Sequence, residues 1–154
     1  MKEFSAKRLF EIFDKSDDGD LLERSGIKDF YDHPFLTMGM VVRGIDNFDL
    51  LCEIYDHKYP KEFPSIKDEV KFKYYSRLYR YLDRFNYKQI DSIEKTLAHG
   101  YDNILYCLID MRVTFETHEE YERCGRIRDI ITSYEDYEDI FIKDTNLSYK
   151  EKWD

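Results

Sequence analysis

The stretch LIDMRVTFETHEEYERCGRIRDII, residues 108–131, decides the fold. Apolar residues recur in it three or four positions apart, which is the spacing of one face of an α-helix. The residues expected to pack together are Met111, Phe115, Tyr121, Ile127 and Ile131. Polar residues near 117 and 118 interrupt the pattern. The sequence therefore predicts two antiparallel helices, over about residues 102–115 and 119–134, that meet across a bend.

A second helix with a distinctive surface is predicted over about residues 65–85. Ser65, with Asp68 three positions later, resembles a capping box at its start. Four basic side chains follow one stripe of this helix: Lys73, Arg77, Arg80 and Arg84. Arginine binds phosphate or carboxylate with two parallel hydrogen bonds. The stripe is therefore a candidate contact for an anion or an acidic partner, and a solvated face that balances acidic segments elsewhere is the alternative.

The remaining predicted helices are shorter. Three of them cover about residues 5–13, 47–57 and 136–142, and a fourth covers residues 87–99 with Gly100 at its C-terminal cap. In the first half of the chain, glycine and proline are expected to separate short elements. The segment 38–42 is expected to be helix or loop, because a lone strand would have no pairing partner.

Together these elements predict an all-α protein with a single compact domain of about six to seven helices over residues 1–143. Short elements occupy residues 1–64 of this domain, and a helical core occupies residues 65–143. Residues 144–154 are expected to form a polar tail.

Charge is distributed unevenly along the 154 residues. The formal net charge is −9, but residues 1–69 sum to −6, residues 70–100 to +4 and residues 101–154 to −7. A net negative charge disfavours generic nucleic-acid binding, whose affinity comes largely from phosphate neutralisation. No stretch approaches the roughly 20 apolar residues of a membrane span, and the N-terminus lacks the apolar run of a signal peptide. We therefore expect a cytoplasmic protein without membrane contact.

Sequence motifs for catalysis are missing. The chain has no glycine-rich phosphate loop, nucleophile elbow or paired-histidine zinc helix, so we predict no cofactor and favour a protein that is not an enzyme. Cys52, Cys107 and Cys124 are too far apart for a zinc finger and are expected to be reduced core thiols. Two alanines and one glutamine are typical of AT-rich coding DNA, as in low-GC bacteria and their phages.

The second helix of the predicted pair carries a pattern found in a known family. Residues 121–129, YERCGRIRD, contain an aromatic residue followed by Glu, two small residues, and then an aliphatic residue, Arg and Asp. Through this pattern the predicted hairpin, residues 108–131, resembles the UVR motif, a helical hairpin named after the UvrB and UvrC repair proteins. The resemblance implies protein–protein contact, often with a second copy, and no catalysis. The partner-binding residues that it implies are Tyr121, Glu122, Cys124, Gly125, Ile127, Arg128 and Asp129.

Within this resemblance, Tyr121 and Ile127 are packing residues, Cys124 and Gly125 lie where helices approach closely, and the following Arg and Asp form a polar pair. Family members favour alanine at Gly125, and a glycine in mid-helix costs about 1 kcal/mol relative to alanine. We therefore expect another helix to approach there. Any antiparallel hairpin of similar composition would give a related pattern, and this alternative stays open.

Residues 14–21 resemble the start of an EF-hand calcium loop. Oxygen-bearing side chains alternate along it, with a glycine at the turn: Asp14, Ser16, Asp18, Gly19 and Asp20. The twelfth position is Ser25, where an EF-hand has a bidentate Glu, and no second loop follows. A solvent-exposed acidic turn is therefore the favoured interpretation, and no metal is predicted.

Three functions remain open. The first is a non-catalytic protein–protein interaction module, an adaptor, inhibitor or virion-associated protein that docks through the C-terminal hairpin. The alternative is a nucleic-acid mimic whose acidic faces, over residues 116–122 and 135–144, occupy the basic groove of a DNA- or RNA-processing enzyme. The third is an enzyme that holds a small anion with Arg77, Arg80 and Arg84. A protein partner is predicted, and self-association is left open.

Overall fold

The computed structural model describes residues 33–142, and this part of the chain folds into helices without a strand. In chain order the helices are α1 (Pro34–Lys58), α2 (Phe63–Asp83), α3 (Ile90–Thr96), α4 (Tyr101–Thr117) and α5 (Tyr121–Tyr137). A 3₁₀ turn, Leu97–His99, links α3 to α4, and a π-helical turn, Glu138–Ile142, follows α5. The all-α class is therefore confirmed for these residues.

The number of helices differs from the prediction. Residues 33–142 contain five α-helices, fewer than the six to seven predicted. The helix predicted over 136–142 does not form separately, because α5 continues to Tyr137 and passes into the π-helical turn. At the start, α1 is a single helix of 25 residues, which takes the place of the predicted helix over 47–57 and of the short elements before it. The helix predicted over 5–13, the EF-hand-like residues and the predicted tail lie outside the described residues.

Two glycines explain why α1 continues where a break was expected. A Cβ atom on Gly44 would lie 2.5 Å from Cδ2 of Leu78 in α2, and one on Gly39 would lie 2.9 Å from Cε1 of His99. Neither glycine has a positive φ. They are therefore positions of close packing inside a continuous helix, and they do not end it.

The start of α2 also differs from the prediction. This helix begins at Phe63, with Pro64 in its first turn, where the missing N–H of proline leaves no helical hydrogen bond unmade. Ser65 is therefore already helical, and its hydroxyl donates to the carbonyl oxygen of Glu62 at 2.7 Å. The predicted capping box is wrong. The predicted cap at Gly100 is confirmed, because this residue has a φ of +93° and ends the 3₁₀ turn.

One hydrophobic core draws side chains from all five helices. Aromatic rings form much of it: the Phe115 ring meets Phe72 and Tyr79 edge to face, and the Tyr134 ring stacks with Phe85. The Tyr134 hydroxyl is hydrogen-bonded to Thr96, so its polar tip is satisfied inside the core. This packing holds α4 and α5 against α2 and α3.

Candidate partner-binding site

The residues that the UVR resemblance singles out lie on α5, which packs along α4. Residues 118–120 connect the two helices, and the backbone N–H of Glu120 donates to the carbonyl oxygen of Phe115 at 2.9 Å. Glu119 has a φ of +59°, which places a non-glycine residue in the left-handed region. Across the pair, the Cys124 thiol donates to the carbonyl oxygen of Arg112 at 3.6 Å. The connection and this contact bring residues on both sides of the bend together.

Burial divides the implied partner-binding residues into two groups. Ile127 is fully buried and the exposed fraction of Cys124 is 6%, so both side chains belong to the core of this chain. Glu122, Arg128 and Asp129 are exposed. The buried pair can only support a contact through the fold, whereas the exposed side chains can touch a partner.

Tyr121 and Gly125 differ from the roles that the resemblance implies. The exposed fraction of Tyr121 is 67%, so its ring does not pack inside this chain. Of the described side chains, only Arg128 comes near a Cβ placed on Gly125, with its Nη2 at 3.8 Å. No helix of the described part therefore approaches Gly125 closely. The exposed ring of Tyr121 and the partly exposed backbone at Gly125 therefore lie one turn apart on the surface of α5.

A cavity of about 380 Å³ opens between α4 and α5 next to this surface. Its lining is formed by Arg112, Glu116, Tyr121, Cys124 and Arg128. Within the cavity wall, Nε of Arg112 lies 3.8 Å from Oε1 of Glu116, which is too far for a hydrogen bond. This Nε is buried and has no hydrogen-bond acceptor among residues 33–142.

Cys124 lines the cavity as a neutral thiol. Burial raises the pKa of Cys124 above that of an ordinary cysteine, and the nearby carboxylate of Glu116 raises it further. A thiolate is the nucleophilic form of cysteine, so a raised pKa makes this side chain a poor nucleophile at neutral pH. The cavity therefore offers two guanidinium groups, a carboxylate and a phenol as its polar features.

Arg112 and Glu116 were not predicted from the sequence as site residues. A positional signal was present, since residues equally far from the bend at residue 120 face each other in an antiparallel pair. Arg112 and Arg128 are each eight residues from this point, and Glu116 and Cys124 are each four residues from it. The spacing alone could not reveal that the four side chains enclose a cavity.

Two other arginines of α5 face inward and hold the helix to α2. Arg123 donates from Nη1 to Oγ of Ser76 at 2.9 Å, and its guanidinium lies over the rings of Tyr79 and Phe115. Arg126 donates from Nη2 to the carbonyl oxygen of Asp83 at 2.6 Å. These residues have structural roles that the sequence analysis did not identify.

The basic stripe follows α2 to Arg84, one residue beyond the end of the helix, and is separate from the cavity between α4 and α5. Lys73, Arg80 and Arg84 are exposed, and Arg77 is half-buried. Each of the four makes at least one polar, charged or ring contact. The stripe is therefore not a row of unpaired charges, and its role as an anion contact stays a prediction.

Among residues 33–142, no three His, Cys, Asp or Glu side chains are grouped so that they could hold a metal ion. None of the helices within this range has the length and hydropathy needed to span a membrane. The EF-hand-like residues Asp14, Ser16, Asp18 and Asp20 fall outside it.

Comparisons with known proteins leave the UVR resemblance of residues 121–129 as a prediction from the sequence. No protein-family model, curated protein or solved structure matches this chain.

Proposed function

We propose that this protein is a non-catalytic protein-binding module that contacts its partner through the outward face of the α4–α5 pair. The observation that carries this proposal is the exposure of Tyr121 beside Gly125 on a helix whose opposite face is fully packed. Tyrosine and arginine are enriched among the residues that dominate binding energy at interfaces. Tyr121 and Arg128 are therefore the expected anchors, with Glu122 and Asp129 as a polar rim.

Gly125 supports the proposal because a glycine at this position lowers the stability of α5. A glycine inside a helix destabilises it by about 1 kcal/mol relative to alanine. In α1 the corresponding cost at Gly44 is explained by the close approach of Leu78. At Gly125 no described part of the chain approaches in this way. Close approach by the backbone of a partner would account for the glycine.

Affinity capture from a lysate of the source cells, with this protein as bait, tests the proposal. The double variant Tyr121→Ala/Arg128→Glu should lose the partner that the unchanged protein retains. The matched control is Arg43→Glu/Leu50→Ala, which makes the same change of charge and truncates a large exposed side chain on α1, outside the α4–α5 pair. Capture retained by a folded Tyr121→Ala/Arg128→Glu protein, or lost equally in the control, would contradict the proposed surface.

Nucleic-acid mimicry is the second candidate, because exposed carboxylates lie near both ends of α5. Glu122 and Glu135 are separated by about 20 Å at 1.5 Å per residue. Arg126 and Arg128 lie between them in sequence and interrupt the run of negative charge. The charge pattern therefore fits mimicry less well than it fits a mixed protein-binding surface.

Salt dependence separates the two candidates. Binding by a mimic should weaken steeply between about 50 and 500 mM salt, because exposed charges are screened over about 10 Å at 0.1 M salt. A contact anchored by Tyr121 should change much less over the same range, since burial of an aromatic ring does not depend on long-range charge. The measurement is the dissociation constant for the captured partner at several salt concentrations.

A further inference from the structure

We infer that the cavity between α4 and α5 is a carboxylate site, which receives the acidic side chain of a bound protein partner. The inference rests on the proposed function, because the partner supplies the carboxylate. It concerns the five lining residues described above, of which Arg112 and Glu116 belong to α4 and the others to α5 or its first turn.

The two arginines supply the cationic part of the site. Arg112 enters from α4 and Arg128 enters from α5, so an anion between the helices can contact both. Nε of Arg112 is buried, and no acceptor for it is present in the part of the chain that the structure describes. A buried donor that lacks an acceptor destabilises the free protein, and rotation of the partly exposed Arg112 side chain toward a ligand oxygen in the cavity would supply the missing hydrogen bond. A guanidinium group forms paired hydrogen bonds with a carboxylate in a fixed geometry.

Comparison with Arg126 shows why Arg112 is the more available cation. Nε of Arg126 also lacks an acceptor, but the terminal nitrogens of this side chain are held by Asp83 of α2. Among the described residues the ion pair of Arg112 is with Glu116, at 3.8 Å, and both side chains reach solvent. An incoming carboxylate therefore competes with one loose ion pair and not with a fixed network.

The negative charges around the cavity favour a carboxylate over a phosphate. Glu116 forms part of the wall, and Glu119 and Glu122 are exposed nearby in the chain. Each acidic neighbour repels a doubly charged phosphate more strongly than a singly charged carboxylate. A monoanion between two arginines and one glutamate balances the local charge, whereas a dianion exceeds it.

The volume and the rim fit an acidic side chain. The cavity, at about 380 Å³, has the volume of roughly a dozen water molecules at about 30 Å³ each. This space accommodates a glutamate side chain together with adjoining backbone. The exposed ring of Tyr121 lies at the rim, where it can cover the apolar stem of that side chain.

Titration of the intact protein with N-acetylglutamate amide, followed by the NMR signals of the arginine Nε–H groups, tests the inference. The signals of Arg112 and Arg128 should shift and saturate at millimolar probe, and N-acetylglutamine amide should bind at least ten-fold more weakly. Arg112→Gln and, separately, Arg128→Gln should abolish saturation. Glu116→Gln should tighten binding several-fold, because it removes the competing carboxylate. Arg43→Gln, which removes an exposed charge on α1, should leave binding unchanged.

Several results would overturn the inference. Equal shifts with the two amides would show that the carboxylate is not recognised, and a tighter response to inorganic phosphate would assign the site to phosphate. Shifts that grow linearly with probe and persist in Arg112→Gln would reflect general ionic effects.

Combining this titration with the capture experiment separates the two proposals. Capture that depends on Tyr121 without probe binding would leave the protein-binding function standing and overturn the carboxylate site. Probe binding with undiminished capture by Tyr121→Ala/Arg128→Glu would overturn the protein-binding surface and the partner as the source of the carboxylate.

Discussion

Gly44 and Gly125 occupy similar positions within helices but have opposite surroundings. Gly44→Ala would place a Cβ 2.5 Å from the buried Leu78 side chain, so we expect the free energy of unfolding to fall by about 1–3 kcal/mol. Gly125→Ala meets only ordinary contact and should raise it by up to about 1 kcal/mol. Urea unfolding measures both values. Equal effects of the two substitutions would contradict the packing of α1 against α2.

Asp49 makes the stability of the protein depend on pH. Burial, reinforced by the carboxylate of Asp110, raises the pKa of Asp49 above its ordinary value of 3.8. The folded state therefore binds this proton more tightly than the unfolded state does, and ionisation of Asp49 destabilises the fold. This penalty is absent below pH 3.8 and complete once the pH exceeds the raised pKa.

Asp49→Asn should therefore stabilise the protein at pH 7 and have little effect at pH 3. The gain should remain below about 1 kcal/mol, because the side chain is mostly exposed and its charge is screened by solvent. Urea unfolding of both proteins at the two pH values measures the difference. A gain of the same size at pH 3 and pH 7 would show that the charge of Asp49 is not its cause.

The connection between α4 and α5 contains a strained residue. Glu119 has a φ of +59°, a conformation that glycine adopts without steric cost and other residues rarely adopt. Glu119→Gly should relieve this strain and raise the free energy of unfolding by up to about 1 kcal/mol, partly offset by the greater freedom of glycine in the unfolded chain. Thermal unfolding compares it with Glu119→Ala, which keeps the strain and should give no such gain.

α4 and α5 could be predicted from the sequence because the residues that define their ends lie within them, whereas the full length of α1 could not. The ends of α4 and α5 lie within three residues of the predicted bounds, because the apolar spacing and the polar bend belong to those residues themselves. Whether a glycine ends a helix depends on what lies against it. At Gly39 and Gly44 the neighbours are His99 and Leu78, which are far away in sequence.

The candidate site, too, could be predicted only in part from the sequence. Its location on α5 followed from the order of residue types in 121–129. The exposure of Tyr121 and the contribution of Arg112 depend on how α4 and α5 are rotated relative to each other. Rotation is set by the whole core, which includes Phe115 and Tyr134, so the pattern in one helix does not determine it.

All three cysteines belong to the core, although they come from different helices. Burial raises the pKa of Cys52 to about 11 and that of Cys107 to about 12, and it also raises the pKa of Cys124. A disulfide-type thiol reagent at pH 8 should therefore label the native protein slowly and take up three equivalents in denaturant. Cys124 should react first, since it lines the cavity. Rapid labelling of all three native thiols would contradict this core.

The α4–α5 pair is an integral part of the domain. Phe115 packs against two rings of α2, and Tyr134 is hydrogen-bonded to Thr96 of α3. Removal of the pair would expose these rings and take away the contacts that α4 and α5 make with α1, α2 and α3. Point substitutions at exposed residues are therefore the suitable probes of its function, and a truncated chain is not.

The hydrogen bond that Arg126 donates to the carbonyl oxygen of Asp83 also affects the order in which the helices become stable. The last carbonyl groups of an α-helix have no partner inside that helix. At the end of α2 the carbonyl group of Asp83 receives its hydrogen-bond donor from Arg126 of α5, which lies 43 residues later in the chain. The final turn of α2 therefore cannot reach its native stability until α5 has docked. In native-state hydrogen exchange, this turn and the middle of α5 should open together as one cooperative unit.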